Sequence, residues 1–457
     1  MQKDIFKRLI TDSQEKDLSN VIDRDLEIPL DTGKIISLIG VRRSGKTHIL
    51  YSIIGRLRET VGPKNIVYIN FEDDRLFPLE LKDLNTLLEA YYEMYPGKKN
   101  EKVYFFFDEI QNVQNWEKFI RRLYDTENCA IFLTGSSAKL LSKEIATALR
   151  GRTLSYEVFP LSFSEFLRFK GIKAASRSSK SQAVIRNAFA DYLTRGGFPE
   201  LIHYEQAVFT KTLQEYIDLI MYRDIIERFG ISNTFLLKRL VKFCFTNIST
   251  LVSLNKLYNS LKSEGLNISR NTVYEYISHL EDAFALFALP VYAQSMREQW
   301  RNPKKIYSVD VGFKTAMDYP FPLDTGRVFE NIVFLELRRK SEKMSYLKDR
   351  QEVDFYYTRD GKEFLLNVCY DMESPATRAR EVKGLIEAMK RLSLGESLIV
   401  TADDMETIDT EAGRISVMPL WEWLLGEGTD KSLRLPKAGD LSANSRGMGR
   451  TKRKSLW

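Results

Sequence analysis

With 44% hydrophobic and 28% charged side chains, the 457-residue chain has core material for about three globular domains. Its 68 cations and 62 anions leave a net charge of +6, too balanced to demand a polyanionic partner, so any nucleic-acid argument rests on local patches. Three scattered cysteines (Cys129, Cys244, Cys369) exclude a disulfide framework or a zinc site. Met1 to Ile5 lack a secretory core, and the longest apolar run, Ala283 to Ala293, is broken by Pro290, so a cytoplasmic protein with no membrane partner is expected.

In chain order, the residues before Lys34 read as a helical lead-in closed by the turn Asp31-Thr32-Gly33. Lys34 to Ile39 then reads as a buried strand, and Ile49, Leu50, Ile53, Ile54 and Leu57 recur at helical spacing after it. Between them, Gly40-Val41-Arg42-Arg43-Ser44-Gly45-Lys46-Thr47 satisfies the phosphate-loop pattern G-x-x-x-x-G-K-[ST] in the strand-then-helix context it requires. There, main-chain N–H groups and the helix N-terminus wrap nucleotide phosphates, Lys46 reaches the β- and γ-phosphates, and Thr47 offers its hydroxyl to Mg²⁺.

Asn65 to Phe71 reads as a second strand, and Leu84 to Tyr95 as a helix stopped by Pro96-Gly97. Lys102 to Phe107 is a continuous apolar run, as a central parallel strand covered on both faces requires. It delivers Asp108 and Glu109 to the carboxyl edge of the sheet, Asp108 to hold Mg²⁺ and Glu109 to deprotonate the water that attacks the γ-phosphate. Trp116, Phe119, Ile120, Leu123 and Tyr124 form the face of the next helix. Ala130 to Leu133 is a fourth strand running into Thr134-Gly135-Ser136-Ser137, where Thr134 and Ser136 are candidates for sensing the γ-phosphate and Ser136 or Ser137 for a helix N-cap. Arg150 and Arg152, between the next helix and a fifth strand at Leu154 to Val158, are candidate fingers for transition-state charge, in this subunit or a neighbour's, or simply complements to a helix dipole.

Gly40 to Thr47, Phe107-Asp108-Glu109-Ile110-Gln111-Asn112-Val113, Leu133 to Ser137 and Leu149 to Arg152 together resemble archaeal-type AAA+ ATPases, in particular the group whose C-terminal half is an uncharacterised conserved domain. The likeness runs on through Gly196 to Glu200, Tyr222 to Ile225, Lys305 to Asp310 and Glu352 to Phe355, covering roughly Ile22 to Leu425. The resemblance implies an ATP-hydrolysing switch. Its nucleotide-binding residues would be Gly40, Val41, Arg42, Arg43, Ser44, Gly45, Lys46, Thr47 and His48, with Asp108 and Thr47 at Mg²⁺, Glu109 catalytic and a hydroxyl sensor at Thr134 or Ser136.

Arg168 to Arg186 carries six cations and no acid around a serine-rich middle and reads as a solvated loop opening a helical lid. Helix Leu254 to Ser263, turn Glu264 to Asn267, helix Ser269 to Asp282 and the β-prone run Phe284 to Tyr292 spell a winged helix-turn-helix. Ser269, Arg270, Asn271 and Thr272 would then meet double-stranded DNA, unless the module packs against protein. Helix Val328 to Lys340 with Glu330, followed by two strands bearing Asp354 and Cys369, resembles the restriction-endonuclease-like fold. Asn367 and Cys369 stand where that chemistry needs Glu and Lys, so lost cleavage is expected.

The expected fold is α/β. A P-loop NTPase (AAA+-like) domain (1–165) precedes a helical lid (166–235), a winged helix (236–297), an inactive restriction-endonuclease-like α/β domain (298–426) and a basic tail (427–457). The expected function is a Mg²⁺-dependent ATPase switching shape on DNA, a protein partner or further copies of itself. A nucleotide-gated binding module with slow turnover is the alternative, and an ATP-dependent nuclease a third.

Overall fold

A computed structural model describes residues 2–136, 149, 151–173, 178–293, 295–318 and 324–426. Arg150, Ser137 and the tail from residue 427 lie outside the described residues. Among the described residues, no helix is long and apolar enough to cross a membrane.

The first unit is a five-stranded sheet of β1 (Ile35–Ile39), β2 (Ile66–Asn70), β3 (Val103–Asp108), β4 (Cys129–Gly135) and β5 (Thr153–Glu157), in the order β2-β3-β4-β1-β5. Every pairing is parallel. The Phe105-Phe106-Phe107 run shows why β3 is central. Phe105 and Phe107 enter one core with Phe6, Leu84 and Phe119, while Phe106 enters the opposite core with Ile49 and Ile53 and stacks on Phe132 at 4.6 Å. Helices therefore cover both faces: Gln2–Glu15, Asp83–Met94 and Trp116–Thr126 on one, Lys46–Val61 on the other. This is the parallel-sheet, P-loop NTPase core expected from sequence. The register sets Leu38 beside Thr134 and Asn70 beside Asp108, so the carboxyl ends of β1, β3 and β4 share one edge.

A layer of helices follows: Phe163–Phe169, Ser179–Arg195 and Gln206–Leu219, the last running through a π-helical turn at Ile220–Ile226. Helix Thr234–Thr246 leads to β6 (Thr250–Val252), helices Leu254–Ser263 and Arg270–Asp282, β7 (Leu286–Leu289), a short helix Met296–Arg301 and β8 (Lys304–Ser308). The three strands form an antiparallel sheet in the order β6-β8-β7. The apolar run from Phe284 is only partly strand: β7 ends at Leu289, and Val291 bridges instead to Tyr346. β8 lies beyond the boundary expected at 297 and is hydrogen-bonded to both partners.

The last unit begins with helices Gly312–Asp318 and Thr325–Lys340. Then come β9 (Lys343–Lys348), β10 (Glu352–Arg359), β11 (Lys362–Val368), helix Pro375–Leu392, β12 (Glu396–Thr401), β13 (Glu406–Thr410), β14 (Gly413–Pro419) and helix Leu420–Leu424. Its six strands run β13-β14-β12-β11-β10-β9, with β9-β10-β11 antiparallel and β12 parallel to β11.

Polar clamps join the units. Asn331 of helix Thr325–Lys340 accepts from the Ser308 N–H at 2.8 Å and donates to its carbonyl at 3.0 Å. Arg338 grips Glu157 at the end of β5 with two bonds of 3.0 and 2.7 Å, and Arg339 donates to the Pro160 carbonyl. Asp310, after β8, accepts the N–H groups of Gly197 (2.7 Å) and Gly312 (2.8 Å). A Cβ on Gly197 would lie 2.3 Å from the Leu161 carbonyl oxygen, so only glycine fits there. Burial pushes the Asp310 carboxyl up to about 7, against those two N–H donors.

Candidate functional site

The phosphate loop leaves β1 at Gly40, whose φ is 148° and where a Cβ would sit 2.2 Å from the Val158 carbonyl oxygen. Gly45, at φ 96°, is the N-cap of helix Lys46–Val61. The loop closes tightly around Lys46, which is 4% exposed and whose Nζ donates to the Gly40 and Val41 carbonyls, both at 3.0 Å. Burial lowers the Lys46 pKa, and the charges of Glu109 and Asp108 oppose that fall. Ser44 Oγ is buried and finds no hydrogen-bond partner among the described residues. A buried ammonium bound only to main-chain oxygens and a free hydroxyl, on a loop too tight for side chains, suit a phosphate.

Asp108 is buried at the end of β3. Thr47 Oγ1 and Tyr68 OH each donate to its Oδ2 at 2.8 Å, and Thr134 donates to Oδ1. Burial raises the Asp108 pKa, while the three hydroxyls pull it back toward the ionised form. Glu109 follows in a left-handed turn at φ 52°; its N–H donates to Thr134 Oγ1 at 2.8 Å and its carboxylate accepts from Gln111. Thr134 thus spans the acidic pair and holds its geometry. Its place in the sequence suggested a γ-phosphate sensor, but the hydroxyl is committed to Asp108 and Glu109. Thr47 and Asp108 are hard oxygen donors suited to Mg²⁺. Among the described residues no group of three or more metal-ligating side chains gathers, so a cation here would need the phosphates as further ligands.

The other loop residues point toward the helical layer. Arg42 Nε meets both Asp224 oxygens at 2.9 Å and its Nη1 donates to Glu72 at 3.0 Å. Arg43 pairs with Glu200 at 3.0 Å and lies over the Tyr216 ring. Ser136 Oγ donates to Asp224 Oδ1 at 3.1 Å. His48 is exposed, edge-on to Tyr51 at 6.0 Å.

Arg152 requires a correction. It precedes β5, and its carbonyl accepts from the N–H of Ile35 at the start of β1 (2.8 Å), so it lies at the sheet edge opposite the phosphate loop. There it pairs with Asp125 at 2.9 Å over the Tyr124 ring. This placement is at the wrong end of the sheet for a finger acting in its own subunit.

Sequence reasoning missed three supports. Arg24 donates to the Ser44 carbonyl at 2.8 Å and pairs with buried Glu165 at 2.7 Å. Burial alone would raise the Glu165 pKa, but Arg24 overrides it and brings it down to about 2. Tyr68 and Asp224 are the others. Only Asp224 carried a signal, as part of the quoted Tyr222-Arg223-Asp224-Ile225 stretch.

The C-terminal acidic cluster is built differently. Lys305 of β8 is buried, and its Nζ meets Glu330 at 2.9 Å, Glu352 at 2.8 Å and Asp354 at 2.8 Å. Tyr307 OH donates to Glu330 at 2.7 Å. Burial lowers an ammonium's pKa, yet the surrounding carboxylates raise that of Lys305 well above its usual value. The surplus negative charge shows at Glu330, which burial pushes up to about 7. Asn367 Oδ1 accepts from the Asp354 N–H at 3.1 Å, its Nδ2 donates to Glu381 at 2.8 Å, and burial raises the Cys369 thiol to about 11.

Residues 32–167 match the family described as AAA domain, and residues 186–324 match a domain of unknown function, DUF8612. The chain is 38% identical over 438 residues to the uncharacterized protein MJ1544 of Methanocaldococcus jannaschii, covering 93% of this chain and 96% of that protein. It is 30% identical over 398 residues to an uncharacterized protein of Haemophilus influenzae, covering 86% and 95%. Among solved structures it is similar to the Walker-type ATPase PABY2304 of Pyrococcus abyssi, at 14% identity and a TM-score of 0.40, over 69% of this chain and 95% of that one.

Proposed function

We propose that this chain, which belongs to the same family of AAA-domain proteins as its M. jannaschii and H. influenzae relatives, is a Mg²⁺-dependent ATPase that switches the shape of its C-terminal half. The observation that carries the reading is the joint at the end of β3. There Thr47 of the phosphate loop and Thr134 of β4 both bond Asp108, and Glu109 is held beside it. Main-chain N–H groups of the loop and Lys46 bind and orient the triphosphate. Mg²⁺, held through Thr47 and Asp108, would supply charge neutralisation at the β- and γ-phosphates. Glu109 accepts a proton from the attacking water, and Gln111 and Thr134 fix the position of that base.

Glu109→Gln keeps the shape and removes the base. Hydrolysis should fall by about 10²–10⁴ while ATP affinity stays within a few-fold. A variant that hydrolyses ATP at the parental rate would sink the assignment. A variant that no longer hydrolyses ATP but still functions would favour the slow, nucleotide-gated binding module.

A DNA partner has its own support. Helix, strand, helix, helix and two strands in the order β6-β8-β7 fit a winged helix-turn-helix. Arg270 and Asn271 are exposed at the start of helix Arg270–Asp282, and exposed Trp300 stands between exposed Arg297 and Arg301. Replacing Arg270 and Asn271 by alanine should weaken duplex binding, read by fluorescence anisotropy; unchanged binding would argue for protein packing through this module. Cleavage is disfavoured because Lys305 already neutralises Glu330 and Asp354. For Arg152, and for Arg150 outside the described residues, a neighbour's site predicts an ATPase rate per subunit that rises with protein concentration.

A further inference from the structure

The helix that starts at Gln206 does not stay α-helical. At Ile220–Ile226 it widens into a π-helical turn, a distortion frequent at functional sites. The turn leaves Tyr222 and Arg223 exposed and aims Asp224, 4% exposed, inward at the phosphate loop. There its two oxygens take Arg42 Nε at 2.9 Å each, and Oδ1 also accepts from Ser136 Oγ at 3.1 Å. Lys46 and Arg228 act on the same carboxylate through their charges.

A guanidinium of the phosphate loop, a hydroxyl at the end of β4 and the field of the loop lysine are the partners a terminal phosphate oxygen would seek. Asp224 already holds them. A phosphate oxygen brought to the same face of Arg42 and to Ser136 would compete with Asp224, because each anion loses water and gains a like-charged neighbour. A carboxylate stripped of Arg42 and Ser136 cannot stay buried either, since an unpaired interior charge must be rehydrated.

We propose that Asp224 competes with the γ-phosphate of ATP for Arg42 and Ser136, so that ATP, and not ADP, unlatches the π-helical turn from the phosphate loop. The inference rests on the ATP-binding reading given above. It adds the step by which the presence of a third phosphate reaches the helical layer. The turn runs on through Glu227–Phe229, and Phe229 stacks on His279 of helix Arg270–Asp282 at 3.7 Å between ring centres. Release of Asp224 is thereby passed toward the C-terminal half.

The test combines amide hydrogen exchange over residues 216–229 with dissociation constants for ADP and for AMPPNP, a non-hydrolysable ATP analogue, each with Mg²⁺. In the parent protein, exchange should rise with AMPPNP and stay at its unliganded level with ADP. Asp224→Asn should exchange faster in all three conditions, bind AMPPNP about tenfold more tightly, as coupled sites typically do, and bind ADP within twofold of the parent. The latch is overturned if both nucleotides bind and exchange is the same with each. It is also overturned if Asp224→Asn weakens AMPPNP and ADP alike. Binding of neither nucleotide to the parent would overturn the ATP reading and the latch with it. Should Asp224→Asn fail to fold, the exchange of the parent protein decides the matter by itself.

Discussion

Two of the lysines buried among the described residues, Lys46 and Lys305, have carboxylates near them and are set up in opposite ways. Among the described residues Lys46 bonds only main-chain carbonyls, its nearby acids act at a distance, and its pKa is lowered by burial. Lys305 is ringed by Glu330, Glu352 and Asp354 within 2.9 Å, and its pKa is raised. The first keeps its charge available to an incoming anion, whereas the second has spent it inside the fold. A buried ammonium therefore signals a ligand site only when its neighbours leave it unneutralised, and an acidic cluster signals a metal only when no side chain already supplies the cation.

The contrast can be broken first at its larger end. Lys305→Ala leaves the largely buried Glu330 and Asp354, beside the exposed Glu352, without a counter-charge, which should cost about 3 kcal/mol and lower the thermal midpoint by on the order of 10 °C. ATP affinity should stay within twofold. Neutralising Glu330→Gln and Asp354→Asn in the same background should restore much of the loss; no recovery would mean that Lys305 acts through packing instead. Lys46→Ala is expected to reverse the pattern, weakening ATP binding by at least about 100-fold while shifting the thermal midpoint by only a few degrees. A large stability loss without an affinity loss would place both lysines in one class.

The acid between the two halves sharpens the comparison through pH. Asp310 is buried and its folded pKa is raised to about 7. A carboxyl raised on folding gives stability that is fully present below its unfolded pKa of about 4 and is lost as pH rises through the folded value. Glu330, also raised to about 7, contributes in the same sense. The thermal midpoint should thus fall as pH is raised from about 5 to 8. Asp310→Asn, although less stable throughout, should show a shallower fall; an unchanged slope would assign the effect to Glu330. The smallest change is Tyr68→Phe, which removes one of three hydroxyls on Asp108. A loss near 1 kcal/mol, or about fivefold in Mg²⁺-dependent ATP affinity, is expected, with affinity in EDTA unaffected.

What could be read early was what neighbours in the chain build together. Gly40 to Thr47 is one continuous turn, and the Phe105 to Phe107 run carries its own reason for being central, because three consecutive phenylalanines need cover on both faces. For Arg152 only the arm of a finger in its own subunit fails, and its position was informative about that. A residue that precedes a parallel strand sits at the edge opposite the loops that follow the strands, but this becomes decisive only once β5 is known to pair with β1. Asn367 and Cys369 standing where a nuclease needs Glu and Lys were visible, yet the cation beside Glu330 and Asp354 was not, because Lys305 comes from β8, which pairs with β6 and β7 and lies 49 residues before Asp354 in the chain. A lysine inside the apolar stretch Lys305 to Val309 was the available clue.

The sequence by itself determined the phosphate loop, the acidic pair at the end of β3 and the αβ order of the first domain, since each depends on spacing within one or two elements. Tertiary structure alone decided that Tyr68 and Thr134 hold Asp108, that Asp224 grips Arg42, and that Lys305 fills the C-terminal acidic cluster. Those contacts span 25 to 182 residues of chain. Burial makes each contact matter, and burial is set by which elements pack together, a property that no local pattern encodes.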